Sequence, residues 1–265
     1  MTARIDFMGC PLDAYTFQEA VDEIARRIRE KAGTTLVHFL NVAKIVKARS
    51  SPEIREILWD GDLVLADGKP LLFFGRRLGL LVPERIPGID LMQALLDLSN
   101  RAGFRVYLLG AKPEVLESCR KKLAQRFPSL DVAGLRNGYF KPEETGAIVE
   151  EINRARPDIL FLGMGTPQKE RFAFENRGKL KVPIVQGVGG TFDVIAGIAR
   201  RAPRWMQELG LEWLFRVLQE PRRLLWRYFS TNVLFLALFL RAWLRLRVGG
   251  KTGLASKEGG PRSPG

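Results

Sequence analysis

Apolar residues along the chain form two kinds of pattern, short continuous runs and longer segments with helical spacing. The short runs are rich in β-branched and large apolar residues, which is typical of strands buried on both faces of a parallel sheet. They predict strands at residues 4–8, 35–40, 63–66, 105–109, 130–134, 159–162 and 183–186. The segments between them predict helices at residues 16–31, 41–48, 52–59, 69–78, 89–102, 113–127 and 142–155. This alternation indicates an α/β fold, a Rossmann-like and mostly parallel sheet with helices on both faces.

The pattern changes after Ala196, where no further strand is predicted. Short helices at 203–209 and 211–218 precede a longer helix that begins at Pro221. The continuous apolar run of that helix, residues 233–240, has eight residues, whereas a membrane-spanning helix needs about 20. We therefore expect no transmembrane segment and predict a helix that lies in the membrane interface. The alternative is a helix packed on the domain or on another subunit, and the chain is accordingly a possible homo-oligomer.

These changes divide the chain into three parts. We expect residues 1–196 to form the Rossmann-like catalytic domain and residues 197–248 to form a helical, basic and aromatic appendage for membrane binding and active-site closure. Residues 249–265 are rich in Gly, Ser, Lys and Pro and are expected to be a disordered tail. The first residues carry charge and lead into a strand, so we expect no signal peptide.

The formal net charge is +13, and most of the basic excess is C-terminal. Residues 197–265 contain 13 Lys and Arg against 4 Asp and Glu, mixed with Trp, Phe and Leu. A basic and apolar segment favours an anionic membrane surface as partner, and we expect no nucleic-acid partner. Cys10 and Cys119 lack the spacing of a metal site, and we expect reduced thiols, as in a cytoplasmic protein.

Glycines follow three of the predicted strands, and this feature points to a ligand. They are Gly110, Gly163, Gly165, Gly187, Gly189 and Gly190. Glycine lets the backbone turn tightly and bring its N–H groups close to a bound molecule. Ligands of open α/β sheets bind outside the carboxyl ends of the strands, where helix N-termini attract phosphate. We interpret the turns at 163–165 and 187–190 as a floor for a nucleotide diphosphate.

A longer ordered series of motifs surrounds these turns. It consists of GMGTPQKE at 163–170, GVGGTFD at 187–193, AG at 196–197, RRAP at 200–203, GLEWLFR at 210–216 and EPRR at 220–223. In this series the chain resembles the WecG/TagA/CpsF family of glycosyltransferases, and residues 5–228 look alignable with it. An ordered series of motifs is much more specific for one family than a single glycine-rich motif.

The resemblance implies an inverting glycosyltransferase, peripheral on the cytoplasmic face of the membrane, that needs no metal or other cofactor. It implies a UDP-sugar donor, either UDP-N-acetylmannosamine or its uronic acid. The implied acceptor is polyprenyl-diphosphate-linked N-acetylglucosamine, and the product would enter wall teichoic acid or another surface polysaccharide. A nucleotide-sugar-binding membrane protein without turnover is the alternative.

Two polar residues end predicted strands at the edge that carries the glycine turns. Asp67 follows the strand 63–66, where a carboxylate can accept a proton as general base, or can cap the next helix. The resemblance implies that it is the base. Asn41 follows the strand 35–40, where its amide can hold a sugar hydroxyl or an N-acetyl group, or can cap a helix. Relatives usually carry Thr two residues earlier, where this chain has Phe39.

Further candidates lie in or near the motifs. Gln168 and Lys169 appear in the order Pro-Gln-Lys-Glu, whereas many relatives read Pro-Lys-Gln-Glu, so Lys169 occupies the usual Gln position. Lys169 can pair with a diphosphate or lie on a solvated helix face. Asp193 can accept from uracil or ribose, or stabilise the first turn of a helix. Tyr139 can form a wall beside the base or pack on the surface.

Four arginines complete the candidate site: Arg85, Arg216, Arg223 and Arg227. The resemblance implies that they close over the diphosphate of the donor or the lipid pyrophosphate. The planar guanidinium suits this role because it makes paired, charge-assisted hydrogen bonds with phosphate. Contact with lipid headgroups or solvent is the alternative for each of them.

Two features that often belong to catalytic or metal sites are expected to be structural in this chain. Asp60-Gly61-Asp62 matches the Asp-x-Asp pattern of metal-binding glycosyltransferases, but it precedes a strand and is expected as a turn at the opposite sheet edge from Asp67. His38 is the single histidine of the chain and lies within a predicted strand. We therefore expect no His-based metal cluster or catalytic triad.

Overall fold

The computed structural model describes residues 3–248, apart from the side chains of Arg223 and Val248. The expected disordered tail, residues 249–265, lies outside this range. A six-stranded sheet contains β3 Thr35–Leu40, β4 Leu63–Ala66, β5 Val106–Gly110, β6 Val132–Arg136, β7 Ile159–Gly163 and β8 Ile184–Gly187. Its order is β4-β3-β8-β7-β5-β6 and every neighbouring pair is parallel. The α/β fold with a parallel sheet is thereby confirmed.

The strand expected at residues 4–8 does not belong to this sheet. Strand β1, Arg4–Phe7, pairs antiparallel with β2, Cys10–Asp13, through a turn at Met8 and Gly9. The Asp13 carboxylate accepts two hydrogen bonds from Arg4, at 2.7 and 2.8 Å, and one from the backbone N–H of Val64 in β4, at 2.7 Å. The hairpin was missed because β2 has four residues and contains a proline.

Helices of the Rossmann-like domain cover both faces of the sheet. They are α1 Phe17–Glu30, α2 Val42–Ser50, α3 Pro52–Asp60, α4 Lys69–Arg77, α5 Gly88–Ala102, α6 Pro113–Arg126, α7 Thr145–Ala155, α8 Gln168–Asn176 and α9 Thr191–Ile195, with a 3₁₀ helix at Pro142–Glu144. Thr16 and Glu19 form the capping box that starts α1. Alternate strand residues point to opposite faces, so β3 buries Phe39 against α5 and Leu36 among residues of α7 and α8.

The appendage, residues 197–248, contains α10 Arg204–Leu209, α11 Glu212–Gln219 and α12 Pro221–Val248. One face of α12 packs on the domain, where Phe235 and Phe239 are buried and lie 5.2 and 4.5 Å from the ring of Phe74 in α4. The alternative of a helix packed on the domain is therefore correct for this face.

A second face of α12 is apolar and exposed. It presents Leu225, Trp226, Phe229, Val233, Leu234, Leu236, Leu240 and Leu244. The segment Leu224–Arg247 is long and apolar enough to cross a membrane, by length and composition only. The expectation that rested on the run 233–240 is corrected, because Ser230, Thr231 and Asn232 end that run without making the longer segment polar.

Candidate functional site

The carboxyl edge of the sheet carries the polar and glycine residues selected above. Leu40 of β3 pairs with Ala66 of β4, so Asn41 and Asp67 follow directly on neighbouring strands. The N–H of Asp67 donates to the carbonyl of Leu40 at 2.8 Å and extends the ladder by one residue. Parallel topology thus brings two side chains 26 residues apart to one point.

Gly110 and Gly163 form the middle of this edge. They are paired across β5 and β7, and a Cβ atom on Gly110 would lie 2.4 Å from the carbonyl carbon of Gly163. Gly110 also has φ of +144°, which favours glycine. After β5 the chain continues outward to β6, and after β7 it continues the other way to β8. Ligands of open α/β sheets bind at such a switch point.

The carboxyl group of Asp67 is partly buried and lies near several positive charges. Burial raises the pKa of its carboxyl group above the ordinary value, while the charges of Arg85, Arg216 and Lys44 and a hydrogen bond from Asn41 act in the opposite direction. The Oδ1 atom of Asn41 accepts from the N–H of Lys44 at 3.0 Å and caps α2. Helix capping therefore leaves the amide N–H₂ of Asn41 free to face Asp67.

Arg85 is held next to Asp67 by the loop between α4 and α5. The N–H of Ile86 donates to the carbonyl of Ala66 at 2.7 Å, and the side chain of Gln186 donates to the carbonyl of Gly88 at 2.9 Å. The guanidinium of Arg85 donates to the carbonyl of Gln207 at 3.0 Å and to the carboxylate of Glu212. Arg85 therefore joins the domain to the appendage.

Lys169 points into the protein. Its ammonium group lies 2.9 Å from the carboxylate of Glu170 and donates to the hydroxyl of Thr166. Lys44 lies 2.9 Å from the same Glu170 oxygen. Burial lowers the pKa of Lys169. The contact of Lys169 with a diphosphate stays a prediction and requires its side chain to leave Glu170.

His38 lies beside this buried cluster, and burial with the charge of Lys44 lowers its pKa to about 3. A cavity of about 10 Å³, lined in part by His38, Lys44, Lys169 and Glu170, has room for one water molecule. The neutral imidazole is therefore part of the packing beneath the site.

The other glycine turns and nearby candidates lie along the same edge. The N–H of Val188 donates to the carbonyl of Leu162 at 2.9 Å, so the turn at Gly187, Gly189 and Gly190 stays close to β7. The Oδ2 atom of Asp193 lies 3.7 Å from where a Cβ on Gly190 would be.

Gln168 and Gly165 are exposed at the start of α8. Tyr139 is exposed and follows Gly138, whose N–H donates to the carbonyl of Ala111 at 3.1 Å. This contact holds Tyr139 near the end of β5.

The three arginines of the appendage differ in placement. Arg216 is exposed on α11, and its charge acts on Asp67. Arg227 is exposed on α12, with its guanidinium carbon 5.4 Å from the ring centre of Tyr228. The side chain of Arg223 lies outside the described part of the chain. Roles for Arg223 and Arg227 at the site stay predictions.

The Asp60-Gly61-Asp62 segment lies at the opposite edge, as expected. Both carboxylates accept hydrogen bonds from Arg177, and Asp62 also accepts from the N–H of Leu36 at 2.8 Å. Within residues 3–248, no group of three or more His, Cys, Asp or Glu side chains is placed to hold a metal ion.

Glycine turns at a switch point of a parallel sheet, with a carboxylate and arginines at the same edge, are typical of α/β proteins that bind a phosphorylated ligand. A sequence model described as the glycosyl transferase WecG/TagA/CpsF family matches residues 5–249. The chain belongs to this family. It is accordingly assigned to the glycosyltransferases of cell-surface polysaccharide synthesis, which use a nucleotide-sugar donor and an acceptor.

Several residues around the site were not predicted from the sequence. Asp90, Arg201 and Glu212 join the domain to the appendage, while Lys44 and Glu170 lie buried below the edge. Glu170, Arg201 and Glu212 stand inside the motifs, so their positions were visible. Their partners were not, because most of these contacts join residues far apart in the chain.

Proposed function

We propose that the protein transfers N-acetylmannosamine from UDP-N-acetylmannosamine to polyprenyl-diphosphate-linked N-acetylglucosamine, with inversion at the anomeric carbon. The observation that supports this most directly is the position of Asp67, at the carboxyl edge of the sheet and within reach of the charges of Arg85 and Arg216. The product would enter wall teichoic acid or a related surface polysaccharide.

Asp67 acts as the general base in this proposal. Its carboxylate takes the proton of the acceptor hydroxyl, and that oxygen attacks the anomeric carbon from the face opposite the UDP group. The raised pKa supports this role, because a base is most effective when its pKa approaches the working pH. Asn41 orients the carboxylate and contacts the sugar.

UDP leaves toward the glycine turns at 163–165 and 187–190 and toward the arginines. Backbone N–H groups and guanidinium groups stabilise the charge that develops on the diphosphate. Arg85 and Arg216 are the nearest to the base, and Arg223, Arg227, Gln168 and Lys169 are further candidates. Asp193 and Tyr139 hold the uridine.

The proposed location is the cytoplasmic face of the membrane, and the exposed apolar face of α12 supports peripheral attachment to a membrane. Trp226 and Phe229 enter the interface, and Arg222, Arg241 and Arg245 contact anionic headgroups. In this position the appendage brings the domain to its lipid-linked acceptor.

The test is transfer of radiolabelled sugar from UDP-N-acetylmannosamine to a short-chain prenyl-diphosphate N-acetylglucosamine, with EDTA present. We expect the full chain to be active and Asp67→Asn to lose activity by about 100-fold or more, the usual worth of a general base. An active Asp67→Asn variant would remove Asp67 from this role.

If the parent is inactive with UDP-N-acetylmannosamine but active with its uronic acid or another UDP-hexose, the proposed donor is wrong. UDP binding without transfer from any UDP-sugar would favour the non-catalytic alternative. Activity that disappears with EDTA and returns with a divalent cation would overturn metal independence.

A further inference from the structure

Four charged side chains connect the appendage to the domain beside Asp67. We name Arg85, Asp90, Arg201 and Glu212 the clasp. Arg201 donates to both carboxylate oxygens of Asp90, at 2.5 and 2.8 Å. Arg85 donates to one oxygen of Glu212, and the other Glu212 oxygen lies 3.6 Å from Nε of Arg201. Glu212 is therefore the acid through which α11 contacts both arginines.

The charged side chains of the clasp are largely shielded from water. The side chains of Arg85 and Glu212 are 13% and 25% exposed, so their attraction is screened less than that of a surface ion pair. The Nε atoms of Arg85 and Arg201 are buried and have no hydrogen-bond partner among the described residues. Such donors are seldom left without a partner, so within residues 3–248 Glu212 and Asp90 leave one donor of each guanidinium unsatisfied.

Glu212 also sets the position of α11 relative to the base. Arg216 lies four residues after Glu212, one helical turn away and on the same side of α11. The charges that lower the pKa of Asp67 come from Arg85 in the loop, Arg216 in α11 and Lys44 in α2. Arg85 thus lies between two carboxylates, Asp67 and Glu212, and Glu212 has the direct hydrogen bond.

We propose that Glu212 is a positioning residue that occupies Arg85 until a substrate diphosphate takes its place, and so keeps Arg85 from pairing fully with Asp67. This rests on the proposed function, in which Asp67 is the base. While Glu212 holds Arg85, Asp67 keeps the basicity that proton transfer needs. When the diphosphate arrives, it exchanges with the Glu212 carboxylate on the same guanidinium.

The proposal makes opposite predictions for binding and catalysis in Glu212→Gln. UDP should bind more tightly, by roughly fivefold, because it no longer competes with a carboxylate for Arg85. Arg85 should also shift toward Asp67. This change lowers the pKa of the base, so the acidic limb of the pH profile of kcat/KM should move down by about half to one pH unit, with a lower kcat. A purely structural role would instead weaken binding and lower activity together.

The experiment compares full-length parent, Glu212→Gln and Glu208→Gln. Glu208 is an exposed acid on α10, four residues before Glu212, and serves as the matched control with parental behaviour expected. Calorimetry with UDP and, separately, with a short-chain prenyl diphosphate shows which diphosphate competes with Glu212. Tighter binding of either one, together with the shifted pH limb, supports the proposal.

Weaker or unchanged binding of both diphosphates, or an unmoved pH limb, overturns it. If Asp67→Asn is inactive in the same assays, the proposed function stands without this inference. An active Asp67→Asn removes Asp67 from the role of base and overturns this inference with it, while the transfer reaction itself stands. If Glu212→Gln unfolds, Glu212→Asp takes its place. This variant keeps the carboxylate and should therefore keep the acidic limb of the parental pH profile. A limb that moves to lower pH in Glu212→Asp contradicts the proposal.

Discussion

Glu170 is the acid of the buried cluster it forms with Lys44 and Lys169, and its replacement by glutamine tests how that cluster is held. Both ion pairs are 2.9 Å long, and the side chains of Lys44 and Glu170 are 9% and 2% exposed. Glutamine keeps the shape of the side chain but leaves two buried ammonium groups without their carboxylate. Breaking a buried pair in this way costs about 3–5 kcal/mol, and we expect Glu170→Gln to lower the free energy of unfolding by that amount.

Urea unfolding followed by far-UV circular dichroism is the suitable assay, because four of the five tryptophans lie in the appendage and fluorescence would report mainly on it. The matched control is Glu53→Gln, which removes the exposed ion pair between Glu53 and Arg171. An exposed pair contributes about 1 kcal/mol or less. If Glu170→Gln costs no more than Glu53→Gln, the reasoning from burial is refuted.

The difference in the free energy of unfolding between the parent and Glu170→Gln should depend on pH. Burial raises the pKa of Glu170, but Lys44 and Lys169 more than reverse this and lower it from 4.5 to about 2. A carboxyl group with a lowered folded-state pKa contributes stability that is complete above its unfolded pKa and is lost as pH falls through the folded value. The difference between parent and Glu170→Gln should therefore be full above about pH 4.5 and shrink toward pH 2. A difference that is constant over this window would contradict the ionised state of Glu170.

Two further predictions concern the sheet edge and the appendage. Gly110→Ala should lower the free energy of unfolding by about 2–5 kcal/mol, because it combines a strained φ with a backbone clash. Gly146→Ala, an open position in α7, should change it by less than about 1 kcal/mol in the same urea assay. The double variant Trp226→Ala/Phe229→Ala should reduce cosedimentation with anionic phosphatidylglycerol vesicles by roughly tenfold or more. Trp59→Ala, an exposed tryptophan outside the appendage, is the control, and equal loss in both proteins would argue against α12 as the contact surface.

Local pattern was sufficient for most of the fold. Continuous apolar runs and helical spacing predicted the six parallel strands and the helices α1 to α7, because each of these elements buries enough apolar surface to show its period in the sequence. The hairpin was the exception, since Cys10–Asp13 is held by Asp13 and its partners rather than by periodicity.

The edge position of Asp67 and Asn41 was predictable for a topological reason. In a parallel sheet every strand ends at the same edge, so a polar residue after a strand can be placed without coordinates. The partners of these residues could not be placed in this way. The contact between Arg85 and Glu212 joins residues 127 positions apart, and the inward direction of Lys169 depends on how α8 is rotated against β3.

Helix α12 shows where composition alone is ambiguous. Apolar residues surround much of the helix, which is typical both of a core helix and of a membrane-spanning one. The structure assigns Phe235 and Phe239 to the domain and leaves Trp226 and Phe229 exposed. The packing partners, α2 and Phe74 of α4, distinguish the two faces.

The carboxylate of Asp13 has a consequence for how copies of this protein behave in solution. An edge strand with free N–H groups is a template on which another chain can add a strand and begin to aggregate. At β4 the N–H of Val64 is already taken by Asp13, and Arg4 of the hairpin also binds the carbonyls of Gly61 and Asp62 just before the strand. The Asp13 carboxylate thus takes the position of a carbonyl group in a neighbouring strand, which disfavours growth of the sheet between molecules at β4.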